Sequence, residues 1–147
     1  MSDRPSEPSG PLYGASLGLE DARRVMQAAE REALAHGWAV VIAIVDASAQ
    51  LLMLHRLEQA QLGSIAIAQQ KAAAAARFRR PTRAFEEILA TGGANLKLLM
   101  LEGMCAVEGG VPLVRAGCVV GAIGVSGVTS SEDGRIATAG AGALDGA

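Results

Sequence analysis

Few side chains in this 147-residue chain combine reactivity with a neighbour that could tune it. His55 stands beside Arg56 and three residues before Glu58, in "LHRLEQA". An imidazole flanked by a cation and an acid suits acid–base work, or it can lend a nitrogen to a metal. It equally suits a surface or inter-subunit hydrogen bond. Lys71 is the lone charge in "SIAIAQQKAAAAA". Its ammonium either snorkels out along the helix or meets a carboxylate, on a ligand or on Glu58 at a pocket rim. His36 precedes Gly37, where an imidazolium complements the negative end of a helix. Cys105 and Cys118 match no zinc spacing and make no disulfide framework, so they read as reduced core thiols. Asp46 reads as a turn cap, Arg115 as solvent-exposed, and Glu132 and Asp133 as helix-starting acids. Met26, Met53, Met100 and Met104 fall on apolar patterns and read as gap fillers. There is no H-E-x-x-H, no Ser-His-Asp order with supporting motifs, and no carboxylate pair of glycosidase type.

The elements that must position these groups follow from periodicity. In "LEDARRVMQAAEREALAHG", Leu19, Ala22, Val25, Met26, Ala29 and Ala33 form one stripe, which predicts an amphipathic helix closed by Gly37. "AVVIAIVDA" is β-branched and apolar, hence a buried central strand, and "LLMLHR" returns as a second strand after Asp46–Gln50. A helix capped by Ser64 is expected through the alanine run, stopped by Pro81 and followed by a shorter helix from Thr82 to about Leu89. Three short strands are expected over 104–107, 111–115 and 118–125, then a helix opening on Ser130-x-x-Asp133. Gly109-Gly110 and Ala116-Gly117 read as the turns of consecutive antiparallel hairpins. Gly121, Gly124 and Gly127 recur every three residues, which is not a dinucleotide fingerprint, and no G-K-[ST] is present.

Composition excludes several classes. Net charge is −2 and aromatics are 3% of the chain, so neither the basic footprint nor the stacking platforms of a nucleic-acid binder are present. Apolar runs are broken too often to span a membrane. The proline-rich start has no apolar signal segment, so residues 1–16 are expected to be a disordered leader, with one domain over 17–147 in a cytoplasmic protein.

"IVDASAQLLMLHRLEQA", "SIAIAQQKAAAAA", "RPT", "EGGVPLV", "GCVVGAIGVSGVTSSED" and "AGAGAL", in that order, resemble the GlcG/HbpS family over roughly residues 17–145. That family is haem-binding-like and related to the C-terminal domain of PduO-type corrinoid adenosyltransferases. The resemblance implies an α/β (α+β) profilin-like sandwich, with an antiparallel five-stranded sheet flanked by helices, and a homo-oligomer. It also implies a pocket for haem, another tetrapyrrole or a different small molecule. By match to the family motifs, Arg56 and Glu58 keep an arginine and an acid, while Gln59 replaces the turn glycine of "R-M-D-G-A". Lys71 matches the family lysine, which could meet a propionate. Gly109, Gly110 and Pro112 match "GG-x-P". Val111 stands where haem-binding relatives can place a hydroxyl, and Ala66 and Gln69 stand where iron-binding relatives can place glutamates. His55 is therefore the candidate metal ligand, with His55, Arg56, Glu58, Lys71 and Gly109–Pro112 as the candidate ligand-binding set.

Two functions remain open at this point. One is a non-enzymatic binder of haem or a related planar ligand. The other is a small catabolic isomerase, hydratase or lyase acting on an acidic metabolite, with His55, Glu58 or Lys71 as acid–base groups. A structural or regulatory oligomer is a third.

Overall fold

The computed structural model describes residues 10–145. Its elements run β1 (Leu12–Tyr13), α1 (Leu19–Ala35), β2 (Val41–Asp46), β3 (Leu51–Arg56), α2 (Ser64–Phe78), α3 (Thr82–Ala90), a 3-10 segment (Gly93–Met100), β4 (Gly110–Arg115), β5 (Cys118–Ser126) and α4 (Ser130–Asp145). One five-stranded sheet organises them. β2 lies antiparallel between β3 and β5, pairing Ile42 with His55 on one side and with Val125 on the other. β4 pairs antiparallel with the far edge of β5.

Two expectations about the sheet need correction. It is mixed, because β1 runs parallel to β5, with Leu12 opposite Cys118. The fifth strand is therefore β1, and residues 104–107 form none: Met104 N bonds back to Leu101 O, and Val107 is exposed. β1 also falls inside the expected 1–16 leader. Tyr13 holds it there, its hydroxyl donating to Ala76 O at 2.7 Å, while residues 1–9 lie outside the described residues.

Alternation of side chains along β2 and β5 supplies both faces of the sandwich. Ile42, Ile44, Ile123 and Val125 point toward α1 and α4, joining Ala22, Val25, Met26, Ala29 and Ile136 in one core. Val41, Ala43, Val45 and Ala122 point the other way, onto Ala68, Ala72, Ala75 and Ala76 of α2. The predicted α1 stripe is buried except Leu19, which sits at the helix start, 45% exposed. α1 ends as expected at Gly37 (φ +68), with Gly37 N bonded to Leu34 O and Trp38 N to Ala33 O, the paired bonds of a Schellman stop.

Hairpin chemistry divides the two glycine dipeptides. Ala116 (φ +50) and Gly117 (φ +76) make the tight β4–β5 turn. Gly109-Gly110 makes no hairpin. It leads into β4 where the chain passes over α2.

Two caps also differ from expectation. Ser64 does not cap α2; its Oγ accepts from Ser126 Oγ (3.1 Å) and Gln61 Nε2 (3.0 Å) inside the fold. At α4 the reciprocal box is Thr129 with Glu132, one residue earlier than expected: Thr129 N donates to Glu132 Oε1 (3.2 Å) and Glu132 N to Thr129 Oγ1 (3.3 Å). Asp133 is thereby free to face inward.

α4 also carries Gly142, where an added Cβ would meet nothing within 4 Å. Gly142→Ala should raise stability by roughly 0.5–1 kcal/mol through helix propensity alone, read as a higher denaturation midpoint at unchanged slope. A lower midpoint would contradict the open space assigned to that helix face.

Candidate functional site

His55 lies on β3, an edge strand, and shares the α1-facing side with Met53 two residues earlier. Facing them from α1 are Arg23, Met26, Gln27 and Glu30, whose 0, 3, 4, 7 spacing places them on one helix stripe. Together these six residues line a cleft of about 300 Å3. Glu30 Oε1 accepts a hydrogen bond from His55 Nδ1. A carboxylate on Nδ1 fixes the ring orientation and leaves the Nε2 lone pair pointing away from it. Nε2 has no hydrogen-bond partner among the described residues, and the side chain is 47% exposed.

The neighbouring candidates do not share this cleft. Arg56, the next residue on the strand, is exposed and lies opposite Val41, whose side chain faces α2. Glu58 lies past the strand end and lines a separate recess of about 360 Å3 with Trp38 and Leu57. Between them and Ala60, Gln59 adopts φ +67, so the turn keeps its left-handed residue even without the expected glycine.

Lys71 corrects the reading of its sequence context. It is 2% exposed, and it is neither a snorkelling surface residue nor a partner of Glu58. Its Nζ donates to Val125 O (2.9 Å) and to Asp133 Oδ2 (3.0 Å), joining α2, the end of β5 and α4. Asp133 Oδ1 also accepts from Val128 N at 3.1 Å. Burial pushes the Asp133 carboxyl above its ordinary 3.8, against the opposing pull of the Lys71 ammonium. Cys105, half-buried near Lys71, has its thiol pushed above 9.0 by the same burial, as an unreactive thiol would.

Gly109 and Gly110 lie against Lys71. A Cβ at Gly109 (φ +135) would lie 2.8 Å from Lys71 Nζ, and one at Gly110 would lie 2.3 Å from Lys71 O. Gly110 N donates to Thr82 Oγ1 at 2.9 Å, which ties β4 to the start of α3. Val111 packs against the α1–α4 core. Gly109 and Gly110 are thus a seat for Lys71, while Val111 faces the other core. The candidate set therefore divides, with His55 and Arg56 on edge strand β3, Gly110–Pro112 on edge strand β4, and Lys71 on α2 bonded to the end of β5.

Asp46 behaves as expected: its Oδ1 accepts from Ser48 N (2.8 Å) and Gln50 N (3.0 Å). His36 caps α1, bonds Glu32 Oε1 at 3.1 Å and stacks on Trp38 with ring centres 4.2 Å apart. Sequence reasoning missed Glu30 and Asp133. Glu30 looks like any acid on a charged helix face until β3 is laid beside it. Asp133 looks like a helix-start acid, and its partner is 62 residues away. Among the described residues, no three His, Cys, Asp or Glu side chains gather as a metal cluster, and no helix is long and apolar enough to cross a membrane.

Similarity to known proteins now places the chain. The family profile described as "Haem degrading protein HbpS-like" matches residues 17–142. Protein GlcG of Escherichia coli (strain K12) is 36% identical over 110 residues, which cover 75% of this chain and 81% of GlcG. The structure of a Streptomyces reticuli HbpS double mutant superposes with a TM-score of 0.80 at 29% identity, covering 97% of each chain. The PduOC–haem complex superposes with a TM-score of 0.79 at 27% identity, covering 88% of this chain and 95% of that one. With the sandwich, the order of elements and the quoted motifs all in place, the chain belongs to the GlcG/HbpS family.

Proposed function

We propose that this protein is a small-molecule binder whose ligand is haem or another tetrapyrrole, which the α1–β3 cleft would hold through His55. The observation that carries the reading is the Glu30–His55 hydrogen bond, which orients the imidazole of a cleft-lining, half-exposed residue and leaves Nε2 without a partner among the described residues. Carboxylate–histidine pairing of this kind is what a metal-ligating histidine uses to set its tautomer and basicity. The rest of the lining fits the same group: Met26 and Met53 offer polarisable apolar contact, and Arg23 offers a cation for a propionate. The family's other two routes do not fit, since Val111, partly buried against the core, has no lone pair and Ala66 and Gln69 carry no carboxylate. A recess of about 300 Å3 sits at the lower end of the range for organic ligands, so a macrocycle would keep one face outside it. Bound haem would supply redox or ligand-binding chemistry; the protein's share is to orient His55, neutralise a propionate and shield one face.

Support for a homo-oligomer comes from the surface. Leu96, Leu99, Met100 and Leu101 are 52%, 68%, 86% and 46% exposed in one short segment, more clustered apolar area than isolated surface residues account for. The enzymatic alternative draws less support, because His55, Glu58 and Lys71 do not converge and Lys71 is sealed in an ion pair.

The test is haemin titration followed at the Soret band. Saturable binding with a red-shifted band is expected, and Glu30→Gln should weaken it by about 10–100-fold by removing the carboxylate charge that raises the basicity of the ring. Uptake that never saturates, or equal affinity in Glu30→Gln, would overturn the role given to this cleft.

A further inference from the structure

A larger recess, of about 560 Å3, opens on the α2 side of the sheet, away from His55. α2 presents two stripes. Ala68, Ala72, Ala75 and Ala76 pack on the sheet, while Gln69, Ala73 and Arg77, four residues apart, line the recess with Gln70 beside them. The β2–β3 turn adds Gln50 and Leu51, and the loop before β4 adds Gly103 and Met104.

The lining chemistry is uneven in a telling way. Three amides and one guanidinium face the space, and no carboxylate does. Arg24, Arg83, Arg115 and Arg135 each meet an acid, whereas the Arg77 guanidinium, like those of Arg23, Arg31, Arg56 and Arg80, has no ion pair or hydrogen bond among the described residues. Arg77 is exposed, and Gly103 packs against its side chain. A Cβ at Gly103 (φ +79) would lie 2.8 Å from Arg77 Nη1, so the loop closes directly onto the guanidinium. Gln69 Nε2 donates to Ile65 O at 2.9 Å, which orients that amide and leaves its oxygen as an acceptor. An unneutralised arginine lining a recess among amides and apolar carbons suits an anion with an apolar body.

We propose that this recess binds a small organic carboxylate, with its anionic group on Arg77 and its apolar part against Leu51, Ala73 and Met104. The site is separate from the His55 cleft and stands whether or not a tetrapyrrole binds there. Amide NMR shifts on titration with benzoate, and with the neutral isostere benzamide, test it. Saturable shifts at Gln50, Gln69, Gln70 and Gly103 are expected with benzoate, and benzamide should bind at least about tenfold more weakly. Arg77→Met should cost about tenfold or more in benzoate affinity, Arg77→Lys should fall between, and Arg83→Met, an exposed residue outside the recess, should leave benzoate affinity unchanged. No saturable shift up to about 10 mM benzoate, equal binding of benzamide, or full affinity in Arg77→Met would each overturn the proposal.

Discussion

Replacing Lys71 with methionine should destabilise the protein by about 3–5 kcal/mol, on the order of 10–20 °C in Tm. The cost is not the loss of an attractive pair as such. Lys71 and Asp133 are 2% and 3% exposed at the side chain, so removing one leaves the other charged, desolvated and uncompensated. Val125 O also loses the donor that Lys71 Nζ gives it, and the seat under Gly109 becomes empty of charge. The pH dependence follows from the direction of the Asp133 shift. Its folded pKa is raised above the unfolded 3.8, so between these values the folded state holds the extra proton and its stability falls as pH rises. In Lys71→Met the ammonium that opposed this shift is gone. The deficit should then be largest at neutral pH and shrink as acid protonates Asp133. The double variant Lys71→Met/Asp133→Leu should recover most of the loss, because both charges leave together. Denaturant melts across pH measure all three, and a single variant as stable as the parent would show that the pair is reached by water.

The second large effect is expected at Gly124. A Cβ there would lie 2.1 Å from Ala68 O, 2.5 Å from Ala72 N and 3.0 Å from Ala72 Cα. These are backbone atoms of α2, so no side chain can swing aside. Gly124→Val should therefore force α2 off the sheet and cost about 3 kcal/mol or more, at the upper end of overpacking penalties. The same displacement would disturb Lys71, one residue before Ala72, so the variant should also expose the buried pair. A midpoint equal to the parent's would mean that α2 can lift without penalty, against the close seam of alanine and glycine seen here.

These two sites show what was legible in the residues and what was not. Glycine inside "VVGAIGVSG" announced that another backbone comes close, and α2 does so at Gly124. β2 and the α1 stripe were legible because one period, two or 3.6, ran through each without interruption. β1 was not: two residues in a proline-rich segment carry no period, and only the Tyr13 hydroxyl bonding α2 reveals why they stay. Met104–Val107 had a strand's composition but no strand to join, since its chain is turned at Gly103 and Gly109. Lys71 was legible as anomalous and illegible in role, because a lone charge on an alanine helix does not say which distant acid it meets. His55 stood out as a candidate from its neighbours in sequence, yet the side chain that bonds it is Glu30, 25 residues earlier on a different element.

The central claim, that His55 presents Nε2 to a haem iron, is tested most directly by comparing haemin-loaded parent and His55→Ala by electron paramagnetic resonance alongside the Soret spectrum. The expected result is a histidine-ligated ferric signal in the parent, lost in His55→Ala while circular dichroism and melting stay unchanged, since the exposed imidazole contributes little to the core. An identical signal in His55→Ala would contradict the claim.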